Sequence, residues 1–311
     1  MKDKQTKKLL VTLDGSERSY KTVKYLTQIE SFLKSRVVLF HVFSGVPESY
    51  WDLEREPKSV KSVKYVRAWE LEQKKKIQAF MDKAHKMLIH AGFSEDRIEV
   101  KIQNRKKGIA RDIVKEAHNG YDAVVSRRRG MGRLPGIILG STSIKLLEKL
   151  SFIPLLLAGR KPAGKKFMIA FDGSPDALRA VDFAASFLAG NDFEFCLLNI
   201  IRGNEKTHRD YPTLLSPDDF VHRVEKNIAR SFEEARKRLV ARGFKPENIQ
   251  TKIITGVRSR AGAIVAEGKT GDYGTIIMGR RGLSRPRDFF LGRVTNKVIY
   301  LAREKSIWVV T

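Results

Sequence analysis

Cysteine is almost absent: Cys196 is the only one in 311 residues. That count excludes a disulfide framework, a Cys-x-x-Cys redox pair and a thiolate zinc cluster, and it sets a reducing, cytoplasmic setting as the expectation. Long apolar runs are missing too, since none approaches the roughly 18–20 residues of a membrane-spanning helix. The basic start of the chain is followed by Leu9–Leu13, which is too short for a signal-peptide core and runs into Asp14-Gly15-Ser16, so it reads as a buried strand. Hydrolase signatures are lacking: there is no Gly-x-Ser-x-Gly elbow and no Ser/His/Asp set. None of the six histidines (His41, His85, His90, His118, His208 and His222) stands with carboxylates at zinc-like spacing, so no metal centre is expected. His41 and Cys196 read as packed strand residues. Acidic residues are the other scarcity. Sixty Lys and Arg face 35 Asp and Glu, a net charge of +25, which invites an anionic partner without choosing one.

What the chain does have is length for about two domains and one internal repeat. Leu9-Leu10-Val11-Thr12-Leu13-Asp14-Gly15-Ser16 returns as Phe167-Met168-Ile169-Ala170-Phe171-Asp172-Gly173-Ser174. Ala91-Gly92-Phe93 returns as Arg242-Gly243-Phe244. Arg128-Arg129-Gly130 with Leu139-Gly140 returns as Arg280-Arg281-Gly282 with Leu291-Gly292. Order and spacing are kept, so the reading is a duplicated domain, residues 1–159 and 160–311, joined by a Gly/Pro/Lys linker. The halves carry excesses of +14 and +11, so the basicity is no detachable tail.

Each copy alternates strand and helix. In the second, Phe167–Phe171 is a short apolar strand, and Ser174 caps a helix that Pro175 opens. Strands around 195–200, 249–254, 275–278 and 307–310 follow, separated by helices near 221–241, 261–267 and 295–302. Alternation of this kind predicts an α/β fold, a parallel sheet in each copy with helices on both faces. Ligands of such sheets sit outside the carboxyl ends of the strands, where both Asp172 and the loop from Gly279 belong.

That loop carries the candidate chemistry. Gly279, Gly282 and Gly292 let a ligand approach bare backbone, and a helix starting after Gly292 aims its free N–H groups into the loop. The spacing is not that of a Walker loop. Two uses fit it: a phosphate nest, or a tight turn with close helix packing. Asp14 and Asp172 likewise serve either a ligand or the turn at Ser16 and Ser174.

Gly-x2-Gly-x9-Gly after a strand, with Asp-Gly-Ser after the first strand, resembles the universal stress protein family, twice over in one chain. The resemblance implies two five-stranded domains of the adenine-nucleotide α-hydrolase-like type. It implies pairing through the last strands, Pro154–Leu157 with Ile307–Val310, as a pseudo-dimer or a homodimer. Many members bind ATP or AMP, with magnesium arriving only with the nucleotide. In the second copy the resemblance places Asp172 near the adenosine, Ile200 at the base, Gly279 and Gly282 at ribose and phosphates, and Gly292 at the phosphate helix. The following hydroxyl residue is replaced by Arg293. In the first copy Asp14, Val42, Gly130, Gly140 and Ser141 match, and the first glycine is replaced by Arg127.

Each copy therefore breaks the pattern once, and the second is the better nucleotide candidate. No general base is picked out, so catalysis beyond slow ATP hydrolysis is not expected. Two other readings compete: a protein-interaction module whose clefts Arg127 and Arg293 fill, and a basic nucleic-acid binder, which lacks any recognition motif. Arg127–Arg129, Arg280, Arg281, Arg285, Arg287 and Arg293 each read as part of a solvated basic rim that together raises the potential over the clefts. The stretches 46–62 and 203–219, with Tyr50, Trp51 and Tyr211, read as lids or contact segments.

Overall fold

In the computed structural model, the residues described are 6–45, 60–128, 139–160, 163–189, 192–202, 217–283 and 291–311. Gly130, Arg129, Arg285, Arg287, Tyr50, Trp51 and Tyr211 lie outside them.

The first half runs β1 (Lys8–Thr12), α1 (Tyr20–Thr27), β2 (Arg36–Phe43), α2 (Val60–His90), β3 (Ile98–Asn104), α3 (Ile109–Ala117), β4 (Ala123–Arg127), α4 (Ser141–Lys149) and β5 (Leu155–Ala158). The second repeats it as β6 (Lys166–Ala170), α5 (Pro175–Leu188), β7 (Glu194–Arg202), α6 (Pro217–Val240), β8 (Ile249–Val257), α7 (Arg260–Thr270), β9 (Thr275–Gly279), α8 (Arg293–Leu301) and β10 (Ser306–Val310). The strands form one ten-stranded sheet in the order β3-β2-β1-β4-β5-β10-β9-β6-β7-β8. Every pair is parallel except β5 with β10, which run antiparallel with Leu156 opposite Trp308.

The central strands are apolar on both faces because helices cover both. Alternate residues of β10 serve different layers. Trp308 and Val310 join the core under α1, α2, α5 and α6, and Ile307 and Val309 join the core under α3, α4, α7 and α8. Each core draws residues from both halves. On α5, Ala177, Ala180, Val181, Ala184, Ala185 and Leu188 are buried at the 3–4 residue spacing of one helix face. Around Trp308 the rings of Phe32, Phe167 and Phe183 pack at 5.8–6.0 Å between centroids. The indole N–H donates to Tyr25 Oη at 2.6 Å. Burial pushes the Tyr25 hydroxyl up to about 12.

An ion pair between a buried carboxylate and a partly exposed lysine recurs in both halves. Lys101 Nζ meets Glu116 Oε2 at 2.7 Å, and Lys252 Nζ meets Glu267 Oε2 at 2.8 Å. Burial would raise the Glu116 pKa, but the bonds from Lys101 and Tyr121 outweigh it and hold the carboxyl below its ordinary value. A depressed folded-state pKa means stability that is complete above the unfolded carboxyl value and is lost as pH falls through the folded one. Glu116→Gln is therefore expected to cost about 1 kcal/mol at pH 7, discounted for the partly exposed Lys101. Its deficit against the wild type should shrink as the pH drops below about 4.3; urea unfolding at pH 7 and pH 3.5 measures both values.

Candidate functional site

In each half the strand order reverses direction between the first and fourth strands, β1 and β4 or β6 and β9. At such a switch point the two adjoining loops part and leave a crevice beyond the carboxyl ends. Asp14 and Asp172 leave the first strand of each pair; Arg127 and Gly279 end the fourth.

In the second crevice the turn reading and the ligand reading meet on the same atoms. Asp172 Oδ1 accepts the Ser174 N–H at 3.0 Å, and Gly173 holds φ at +75° to make that turn. Ser174 Oγ accepts the Ala177 N–H at 3.2 Å and caps α5. The other oxygen, Asp172 Oδ2, reaches across and accepts the Leu283 N–H at 3.0 Å. A Cβ on Gly282 would lie 2.4 Å from that oxygen. Asp176 Oδ2 accepts the Arg281 N–H at 3.0 Å. The glycine loop is thus strapped to the first strand's turn by two carboxylates. Gly279 and Gly292 also press on protein: a Cβ on Gly279 would stand 2.7 Å from the Asp176 backbone, and one on Gly292 would stand 3.2 Å from the Arg280 carbonyl.

The N-terminus of α8 is a different kind of end from that of α5. Gly292 is its N-cap in extended conformation and supplies no side-chain acceptor, which makes this a backbone end of the kind that suits an anion. Thr295 Oγ1 donates to the Gly279 carbonyl at 3.0 Å and ties this helix to β9. Arg293 is exposed on the first turn of this helix. Ile200 lies buried near the end of β7, the strand beside β6.

The first crevice has the same skeleton. Asp14 Oδ1 accepts the N–H of Ser16 at 3.0 Å and its hydroxyl at 2.6 Å. Gly140 caps α4 without a side-chain acceptor, Ser143 Oγ donates to the Arg127 carbonyl at 2.7 Å, and Val42 is buried in β2 beside β1. Arg127 replaces the first glycine. Burial lowers its pKa, with Asp14 pulling the other way and Arg18 and Arg160 adding to the lowering. Its Nη1 is buried with no hydrogen-bond partner among the described residues.

Two pairs were not legible in the sequence. His41 Nδ1 donates to the Leu13 carbonyl at 2.8 Å, and Asn199 Nδ2 donates to the Phe171 carbonyl at 2.8 Å. Each holds the backbone just ahead of the crevice aspartate. Burial lowers the His41 pKa, so this donor works as a neutral ring. The second pair corrects the basic-rim expectation. Arg128 and Arg280 are only 4% and 3% exposed. Arg128 donates to the carbonyls of Ile299, Ala302 and Lys305, and Arg280 donates to those of Leu147, Glu148 and Leu150. Each arginine caps the carboxyl end of a helix in the opposite half. Burial, with a smaller push from Arg160, lowers Arg128 to about 10, which leaves it charged at neutral pH. Recurrence of Arg-Arg-Gly in both copies was the signal that could have revealed a shared structural task.

A family model described as the universal stress protein family matches residues 5–157 and again residues 164–310. The chain belongs to the universal stress protein family. A universal stress protein of Mycolicibacterium smegmatis is 26% identical over 171 residues, 54% of this chain and 54% of that protein, so the chain spans about half the length of this curated relative. Among solved structures, a universal stress protein from Archaeoglobus fulgidus DSM 4304 matches 99% of this chain and 97% of its own, with a TM-score of 0.62 at 18% identity. A protein of Pseudomonas aeruginosa UCBPP-PA14 described as a universal stress protein matches 99% of this chain and 94% of its own, with a TM-score of 0.57 at 14% identity. These likenesses establish the tandem fold. Among the described residues of this universal stress protein, no helix is long and apolar enough to cross a membrane, and no group of three or more His, Cys, Asp or Glu is placed to hold a metal ion.

Proposed function

We propose that this universal stress protein binds an adenine nucleotide, ATP or AMP, in the crevice of its second half and acts as a nucleotide-responsive regulator. The observation that carries the reading is the pairing of Asp172 with an α8 N-terminus whose cap residue, Gly292, has no side chain, on the two sides of one switch-point crevice. Phosphate oxygens suit the first-turn N–H groups of α8 and the Arg293 fork. Asp172 already accepts two N–H groups, and its oxygens retain lone pairs for ribose hydroxyls. Ile200 supplies an apolar wall for the base. Magnesium enters only with the phosphates. The first crevice suits a nucleotide less well because Arg127 stands at the strand end where the second half has Gly279, so a long side chain replaces a bare backbone. Half one in this reading is the interaction-module half, and pairing of the halves makes the chain its own pseudo-dimer.

Nucleotide at a hundredfold excess over Kd stabilises the fold by about 2.7 kcal/mol, a rise in Tm of about 5 °C. Thermal shifts with ATP, ADP and AMP measure it, alongside mass spectrometry of small molecules released on denaturation. Arg293→Ala is expected to weaken ATP about tenfold and to leave adenosine unchanged, since the ligand contact it removes is to phosphate and not to the nucleoside. No shift at millimolar nucleotide and no released ligand would refute the reading.

A further inference from the structure

The two crevices are built on helices whose far ends belong to the other half. The α8 helix begins at the second crevice and ends under Arg128, which comes from the loop of the first. The α4 helix begins at the first crevice and ends under Arg280, which comes from the loop of the second. The same two arginines hold the opposite helix ends through their backbones. The Arg280 carbonyl accepts the N–H of Gly292, the N-cap of α8, at 2.9 Å, and the Arg128 carbonyl accepts the N–H of Gly140, the N-cap of α4, at 3.0 Å. The connections close on themselves: start of α8, Arg280, end of α4, start of α4, Arg128, end of α8.

We propose that this closed circuit couples the two crevices, with Arg128 as a positioning residue for the second crevice and Arg280 as the corresponding one for the first. The inference deepens the nucleotide reading and rests on it for the identity of the ligand. Three features support it. Neither helix ends in a left-handed glycine: the C-caps are Ala302 and Leu150, with ψ near 65°. The last turn of α8 carries no basic residue of its own, so the cation that complements its carboxyl end is supplied from the other half. The helix is also short. Nine residues span about 13.5 Å, so a phosphate at one end and a guanidinium at the other act on the same two and a half turns. A ligand that draws the first turn of α8 inward moves Gly292 and Arg280 with it, and the opposite end moves against Arg128, whose neighbour Arg127 lines the first crevice. Each crevice is therefore completed by the half that does not contain it.

The experiment uses the full chain and two arms. The first needs no ligand: hydrogen exchange is compared between the wild type and Arg128→Gln, which keeps donors and removes the charge. Exchange at residues 293–297 is expected to rise at least fivefold, with residues 260–270 unchanged. A rise confined to 299–305 overturns the proposal, because it would show a local cap only. Arg128→Lys, which restores the charge, is expected to recover most of the protection; if the glutamine variant does not fold, Arg280→Gln takes its place, with the fivefold rise expected at residues 141–145 of α4 and a rise confined to 147–150 overturning the proposal. The second arm titrates ADP by calorimetry. Arg128→Gln is expected to weaken ADP at least fivefold, and equal affinity in both proteins overturns the coupling. If the wild type binds none of ADP, ATP and AMP, the nucleotide reading fails alone, and the exchange arm decides the coupling by itself.

Discussion

Replacing Trp308 by alanine is expected to cost about 3–5 kcal/mol of unfolding free energy, the largest single loss in the molecule. The ring is fully buried in the strand where the halves meet. Its removal opens a cavity between Phe32 of the first half and Phe167 and Phe183 of the second. It also strips the Tyr25 hydroxyl of its 2.6 Å donor, leaving its contacts with Thr275 Oγ1 at 3.3 Å and with the Ser306 side chain. The loss therefore combines a transfer term, a cavity term and a disturbed buried hydrogen bond. Trp308→Phe separates them: it keeps most of the stacking and drops the N–H, so its cost should be about 1–2 kcal/mol. Urea unfolding followed by circular dichroism gives both values. A cost below about 1 kcal/mol for alanine would show that the halves are not held through this residue.

The second large effect is expected at Gly279. Alanine there sets a methyl group 2.7–2.8 Å from the backbone and Cβ of Asp176, in the first turn of α5. Backbone atoms cannot swing aside as a side-chain tip can, so β9 and α5 must separate. Overpacking of this kind costs about 2–3 kcal/mol. It also strains the Asp176 bond to the Arg281 N–H, which holds the glycine loop. The reciprocal change, Arg127→Gly in the first half, should fold normally, because it removes a half-buried guanidinium with an unpartnered nitrogen rather than adding atoms. Thermal unfolding of the two variants side by side tests the asymmetry. An unperturbed Gly279→Ala protein would mean that the glycine is kept for a ligand alone and not for packing.

The repeat made most of the fold legible. Apolar runs such as Phe167–Phe171 stand out because a strand covered on both faces needs no polar alternation, and Ser174-Pro175 announces a helix start through capping chemistry that is local in sequence. The antiparallel joining of β5 and β10 rested on resemblance, not on the residues: Leu-Leu-Leu-Ala and Ser-Ile-Trp-Val-Val state that they are buried but not against what. At the site, Asp172 and the glycines were found because their turn and backbone constraints are encoded in adjacent residues. The fates of Arg128 and Arg280 were not, because a basic residue in a loop is ordinarily solvated. Only the three-dimensional arrival of a helix end from 130–177 residues away makes burial of that charge tolerable. His41 and Asn199 were obscured in the same way: their partners lie 28 residues back, just past the end of a neighbouring strand.

The sheet also has two kinds of border. Its outer strands carry Glu99, Lys101 and Gln103 on β3 and Gln250 and Lys252 on β8, and they end the ladder with side chains that resist a further strand. The strands at the middle, β5 and β10, are buried along their whole length and carry no charge. They are sticky edges, kept from template-driven aggregation solely by being sewn to each other within one chain. A separately produced half would expose such an edge at every collision. Its fate would be self-pairing into a closed dimer, since its other edge, β3 or β8, resists a further strand, and covalent tethering makes the pairing within one chain the fastest one available to this molecule.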